Sequence, residues 1–95
     1  MTQKEIANAR RKLRRLEKEM AGIPPVMRGS VVRIGTRNKQ FYFTLNKDKK
    51  TRLIYLGNKR EPLARKLSAN YKKLVAIVEE MTLLNMTLLK NDALD

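Results

Sequence analysis

The spacing of apolar residues changes period twice along this chain, which restricts it to one order of elements. Ile6, Ala9, Leu13, Leu16 and Met20 recur at intervals of three and four, the pattern of one helix face. From Gly29 the period is two. Ser30–Ile34, Gln40–Leu45 and Thr51–Leu56 are short runs rich in Val, Ile, Phe, Tyr and Thr, the composition of strands. Leu67, Tyr71, Leu74, Val78, Met81, Asn85 and Leu88 then restore the helical interval, broadened by Leu63, Ile77 and Leu84. The expected fold is α+β, a single domain over 1–95. It has a helix over 3–21, a three-stranded antiparallel β-meander over 29–57, and a long coiled-coil-like helix over 62–91.

The punctuation agrees. Thr2-Gln3-Lys4-Glu5 fits a capping box, in which the Thr2 hydroxyl accepts from the Glu5 amide and the Glu5 carboxylate accepts from the Thr2 amide. Gly22 suits the left-handed position after a helix, and Pro24-Pro25 forbid its continuation. Gly35–Lys39 and Asn46–Lys50 supply turn residues between the strands. Pro62 has the fixed φ favoured in a helix's first turn. In the second strand Phe41, Phe43 and Leu45 share one face and Gln40, Tyr42 and Thr44 the other. For the third, Leu53/Tyr55 and Ile54/Leu56 compete for the inward side.

Charge divides the chain differently. Residues 1–73 carry 21 of the 22 Lys and Arg and are +16, whereas residues 74–95 carry only Lys90 with four acids and are −3. A net charge of +13 and a pI near 10.5 make phosphate polymers the leading partner class. The chain has no Cys and no His, so disulfides, thiolate zinc sites and histidine general bases are excluded. No nucleophile–base pair, carboxylate cluster or glycine-rich phosphate loop stands out. The expectation is a non-enzymatic cytoplasmic protein without cofactor or metal. No apolar run approaches the ~18–20 residues that span a bilayer.

Arg28, Arg33, Arg37, Lys39, Lys47, Lys49, Lys50, Arg52, Lys59 and Arg60 face a single acid, Asp48, within residues 28–60. Strands cannot neutralise such a run internally, and a β-ribbon fits the DNA major groove. The sheet carrying Arg33, Tyr42, Thr44 and Arg52 is therefore a candidate nucleic-acid surface, with Arg28, Lys59 and the turn cations on flanking phosphates. The alternative is a lysine-rich sheet kept soluble by charge. In the first helix, Arg10/Arg14 and Arg11/Arg15 are like charges four apart, which weakens a helix. Arg11, Arg15 and Lys18 are candidates for further phosphate contacts, or a solvated face.

The long helix poses a geometric problem. At ~1.5 Å per residue it is a rod of ~45 Å, and a six-residue strand of ~20 Å covers about half of it. The surplus apolar surface points to a homodimer through Val78, Met81, Leu84, Asn85 and Leu88, with Asn85 fixing register. The plainer expectation is an ordinary core.

Several residue runs carry a family resemblance: Pro24-Pro25-x-Met27-Arg28-Gly29-Ser30-Val31-Val32, Phe41-Tyr42-Phe43, Lys50-Thr51-Arg52-x-Ile54-Tyr55-Leu56, Asn70-Tyr71-Lys72-Lys73-Leu74 and Glu79-Glu80-Met81-Thr82-x-Leu84-Asn85. They resemble a family of small basic proteins of bacteria and archaea often met near mobile elements. Many of its members carry a longer, Cys-containing insertion where this chain has Gly35–Lys39, so a metal role does not transfer. Separately, Gly29–Leu74 is similar in outline to the arm-type DNA-binding domain of tyrosine recombinases, whose three-stranded sheet enters the major groove. The resemblance implies a nucleic-acid-binding accessory of a mobile element or phage, DNA favoured over RNA. The alternative is a protein-interaction module that inhibits or assembles with a nucleic-acid enzyme or nucleoprotein complex. No membrane partner is expected.

Overall fold

A computed structural model describes residues 1–94. The element order is α1 (Gln3–Ala21), β1 (Ser30–Ile34), β2 (Gln40–Lys47), β3 (Lys50–Tyr55) and α2 (Gly57–Lys90), an α+β arrangement. The chain divides into two compact units, Met1–Ile23 with the residues from Lys73 onward, and Pro24–Lys72. Helix α2 contributes to both.

In the first unit α1 has the expected bounds. Thr2 caps it by accepting from the Glu5 amide at 3.2 Å. The return half of the box differs, since the Thr2 hydroxyl donates to Glu5 Oε1 at 3.1 Å. Gly22 is not left-handed: its φ is −88°, and its amide closes the last turn on Lys18 and Glu19. The prolines therefore stop the helix without help from a left-handed glycine. Ala9, Leu13 and Leu16 are buried as the stripe predicts, while Met20 at its end is exposed.

Ala9 and Leu13 pack with Leu88 of α2, and Ile6, Met81, Leu84 and Ala93 close around them. Leu88 is 1% exposed, worth roughly 1.5–3 kcal/mol of transfer free energy. The end of α2 adds to this core. Asp92 takes φ +53°, which turns the chain so that the Ala93 amide bonds the Leu88 carbonyl at 2.8 Å and the Asp92 amide bonds Leu89 at 3.1 Å. These two bonds define a Schellman motif, and its usual apolar contact is Ala93 on Leu88. Arg10 Nη2 fastens the turn by donating to the Ala93 carbonyl at 2.8 Å.

In the second unit the strands form an antiparallel sheet in the order β1-β2-β3. The β2–β3 connection is shorter than the five residues expected. Lys47 pairs with Lys50, and only Asp48 and Lys49 lie between, at φ +54° and +62°. Two consecutive positive φ values make this a type I′ turn, whose twist matches the strands. Helix α2 starts five residues before Pro62, at Gly57 with φ +64°. A glycine takes that value without strain and reverses the chain directly out of β3.

Register assigns the faces. Val31, Phe43 and Ile54 lie in one row, and Val32, Tyr42 and Tyr55 in the next. The Val31–Phe43 side carries the core of Phe43, Leu56 and Ala64, with Met27, Val31 and Phe41 against it. The ambiguity at β3 therefore resolves toward Ile54 and Leu56 inward. Leu56 is buried in that cluster, but Ile54 lies outside it and remains 54% exposed. Gly29 sits at φ +141°, where a Cβ would lie 2.7 Å from Phe43 Cζ. Its carbonyl accepts from Ser68 Oγ of α2 at 2.8 Å, and the Met27 amide donates to the Leu67 carbonyl at 3.1 Å. These bonds hold the loop before β1 against the helix.

Candidate nucleic-acid interface

The outer sheet face holds Ser30, Val32, Ile34, Gln40, Tyr42, Thr44, Asn46, Thr51, Leu53 and Tyr55, by the alternation that the pairing fixes. None of these is charged. Tyr42 and Tyr55 meet edge to face, centroids 5.6 Å apart, and the Tyr55 hydroxyl donates to Gln40 Oε1 at 3.4 Å. Thr51 donates to Asn46 Oδ1 at 2.7 Å. These bonds use the side-chain oxygens of Gln40 and Asn46, and neither amide nitrogen donates a hydrogen bond among the described residues. Among the described residues, the Tyr42 hydroxyl and the Thr44 side chain have no hydrogen bond to protein.

The same register separates residues that the sequence grouped. Arg33 pairs with Phe41 and Arg52 with Leu45, so both arginines belong to the inner face, opposite Tyr42 and Thr44. A surface combining Arg33, Tyr42, Thr44 and Arg52 does not form. Arg33 instead stacks its guanidinium 5.5 Å from the Phe41 ring, and Arg65 of α2 stacks on the same ring at 5.6 Å. Each such contact is worth on the order of 0.5–1 kcal/mol at an exposed site, so Arg33 has a packing role. Alternation alone puts Arg33 on the face of Val31, and pairing with Phe43 and Phe41 makes that the inner face.

The remaining cations gather at the ends of the sheet. Lys47, Lys49 and Lys50 crowd the β2–β3 turn, with Lys47 and Lys50 directly opposed and, by the same alternation as Arg52, on the inner face. Arg37 and Lys39 lie in the β1–β2 connection and are exposed. Arg28 donates to the Asn46 carbonyl at 3.2 Å, and Arg60 to the Tyr55 carbonyl at 3.4 Å; these two brace backbone while keeping their charge. Lys59 is exposed on the first turn of α2. Among the described residues the ion pairs are Arg15–Glu19 and Arg65–Glu61, and neither touches a cation of residues 28–60. That stretch is uncompensated.

On α1, Arg11, Arg15 and Lys18 lie on the face opposite Ala9, Leu13 and Leu16 and are exposed. Arg11 reaches Asn8 Oδ1 at 3.4 Å, and Arg15 pairs with Glu19 at 3.9 Å. The proposed interface residues of α2 fare unequally. Leu88 is core, and Met81 and Leu84 pack on α1, so α1 itself covers the apolar stripe that the sequence left without a partner. Asn85 is half-buried beside that core, and of the five only Val78 is exposed, at 46%.

Sequence reasoning missed two features. Tyr55, Asn46 and Thr51 join Gln40, Tyr42 and Thr44 on one hydrogen-bonding surface; pairing register was the absent information. An open groove of about 660 Å³ lies on the inner face, with no residue of α2 in its lining. Its floor is Met27, Phe43, Leu45 and Ile54 and its cationic rim is Arg28, Lys47 and Arg52. Among the described residues no helix is long and apolar enough to cross a membrane.

Searches of protein-family models, curated proteins and solved structures found no match to this chain.

Proposed function

We propose that this chain is a non-enzymatic nucleic-acid-binding protein, with duplex DNA the favoured ligand. One observation carries the reading. Ten cations against one acid in residues 28–60 make no ion pair among the described residues, so their field falls on whatever approaches the sheet. The uncharged outer face suits a role in contact with base edges. Gln40 and Asn46 present amides of the kind that bond adenine, and Tyr42, Thr44 and Thr51 present hydroxyls. Arg37 and Lys39 at one end of the sheet and Lys49 at the other would meet flanking phosphates, with Lys47 and Lys50 approaching from the inner-face side of the same turn. Arg11, Arg15 and Lys18 would add phosphate contacts of their own, and Arg33 is reassigned to packing.

The groove supports a second reading, a protein-interaction module. Its apolar floor and three rim cations suit an acidic partner segment with a bulky apolar anchor. Fluorescence anisotropy with labelled duplex, single strand and structured RNA, each at 50 and 200 mM salt, tests the first reading. Binding strongest to duplex, and weakened at the higher salt, supports it. No binding to any of the three at 50 mM overturns it, and capture of a protein partner that survives nuclease treatment would then favour the second.

A further inference from the structure

On one side the lining of the inner-face groove ends at Arg52 and Ile54 of β3, and β3 is itself a free edge of the sheet. All of its residues are exposed, Leu53, Ile54 and Tyr55 at 51%, 54% and 53%. We infer that β3 takes an extended acidic peptide as a fourth, antiparallel strand, with the order apolar–x–acid–x–acid. The inference rests on the reading of the groove as a site for an acidic partner segment, and it gives that segment a backbone conformation and a residue pattern.

The backbone is the first argument. The Leu56 amide donates to the Phe41 carbonyl at 2.9 Å, and bonded pairs alternate along an antiparallel ladder. Lys50, Arg52, Ile54 and Leu56 therefore bond to β2, while Thr51 and Leu53 turn their N–H and C=O groups to the open edge. Arg60 takes the Tyr55 carbonyl at 3.4 Å, which marks the end of the free stretch. Donors and acceptors side by side on a strand are satisfied together by an added peptide backbone. A phosphate chain or an acyl chain offers no such donors to the carbonyls.

Side chains set the order. Ile54, Arg52 and Lys50 are successive inner-face positions about 6.8 Å apart. An antiparallel strand beside them places its apolar residue next to Ile54, toward the groove floor of Phe43 and Leu45, and its acids next to Arg52 and Lys50. Arg28 and Lys47 complete the cationic rim. The Arg28 guanidinium is already held by the Asn46 carbonyl at 3.2 Å, so it has less freedom to lose on binding. None of these cations has an ion-pair partner among the described residues. The chain's own strands contain no Asp or Glu, so a second copy offers no complementary strand, and β3 against β3 opposes like charges.

The test is fluorescence anisotropy of labelled peptides containing Phe-Thr-Glu-Thr-Glu or Phe-Glu-Thr-Glu-Thr. It uses the full chain, free of nucleic acid, at about 50 mM salt, where charge contacts are little screened. The two peptides have one composition, but only the first puts Phe and both acids on the same face of a strand. It should bind ~10-fold or more tightly than the second. N-methylation of its two Thr amides, which would face Leu53 and Thr51, should abolish that advantage. Arg52→Glu, at an exposed position, should weaken it ~10-fold or more and turn the preference toward Phe-Thr-Lys-Thr-Lys, with the circular dichroism spectrum unchanged. Equal binding of the two Glu peptides, or indifference to N-methylation, overturns strand addition while the acidic-groove reading stands. Dissociation constants above about 1 mM for both overturn the two together. Neither result involves the outer sheet face, so nucleic-acid binding is judged by its own assay.

Discussion

Replacing Lys47, Lys49 and Lys50 together by Gln separates binding from folding. These residues surround the β2–β3 turn, and all three are exposed. None makes an ion pair among the described residues. Lys47 and Lys50 are directly opposed, a like-charge pair that costs the sheet a few tenths of a kcal/mol. Removing them should leave thermal stability equal or slightly raised. Binding should respond strongly. If ~6 phosphates are neutralised by the whole protein, log K falls with log[salt] at a slope near −5, and affinity drops ~1,000-fold or more from 50 to 200 mM salt. Without three of those contacts the slope should be near −3 and the drop only ~40-fold. Anisotropy titrations against a labelled duplex at four or more salt concentrations give both slopes. An unchanged slope in the triple variant refutes the placement of the turn on phosphate. A flat slope in the parent protein refutes the electrostatic argument altogether.

Other expectations concern the two cores. Gly29→Ala should destabilise by about 2 kcal/mol or more in urea unfolding, because the position combines φ +141° with the Phe43 ring 2.7 Å from the new carbon; a loss below ~0.5 kcal/mol contradicts that geometry. Leu88→Ala should cost about 2–5 kcal/mol and Leu89→Ala under ~0.5, since one is 1% exposed and its neighbour 63%. Equal losses would mean that α2 presents a different face to α1. Asp92→Gly should stabilise by roughly 0.5–1 kcal/mol, relieving a left-handed non-glycine residue and removing an acid from the negative end of α2. A lower thermal midpoint would count against the Schellman turn.

Much of the fold is legible in the residues themselves because local periodicity carries it. The bounds of α1 follow from Thr2, the Ile6–Leu16 stripe and Pro24-Pro25, and the meander follows from three alternating runs with turn residues between them. Boundaries slipped where backbone conformation outweighed side-chain pattern. Asp48 and Lys49 at positive φ shorten the hairpin to two residues, and Gly57 starts α2 ahead of the proline that had marked its beginning. The candidate surface was legible only as a quantity of charge. Which cations share a face with Tyr42 depends on cross-strand register, and that placed Arg33, Arg52, Lys47 and Lys50 on the opposite side.

The amino-acid order by itself determined the succession of elements and the concentration of positive charge in the first three-quarters of the chain, since both are properties of neighbouring residues. It could not choose among the apolar faces of α2, which carries leucine, valine or methionine around most of its circumference in its second half. Only packing made the choice: α1 takes the side of Met81, Leu84 and Leu88, and Val75, Val78, Met86 and Leu89 are left in water. Burial is decided by what a partner element can reach, and reach is a property of the folded chain.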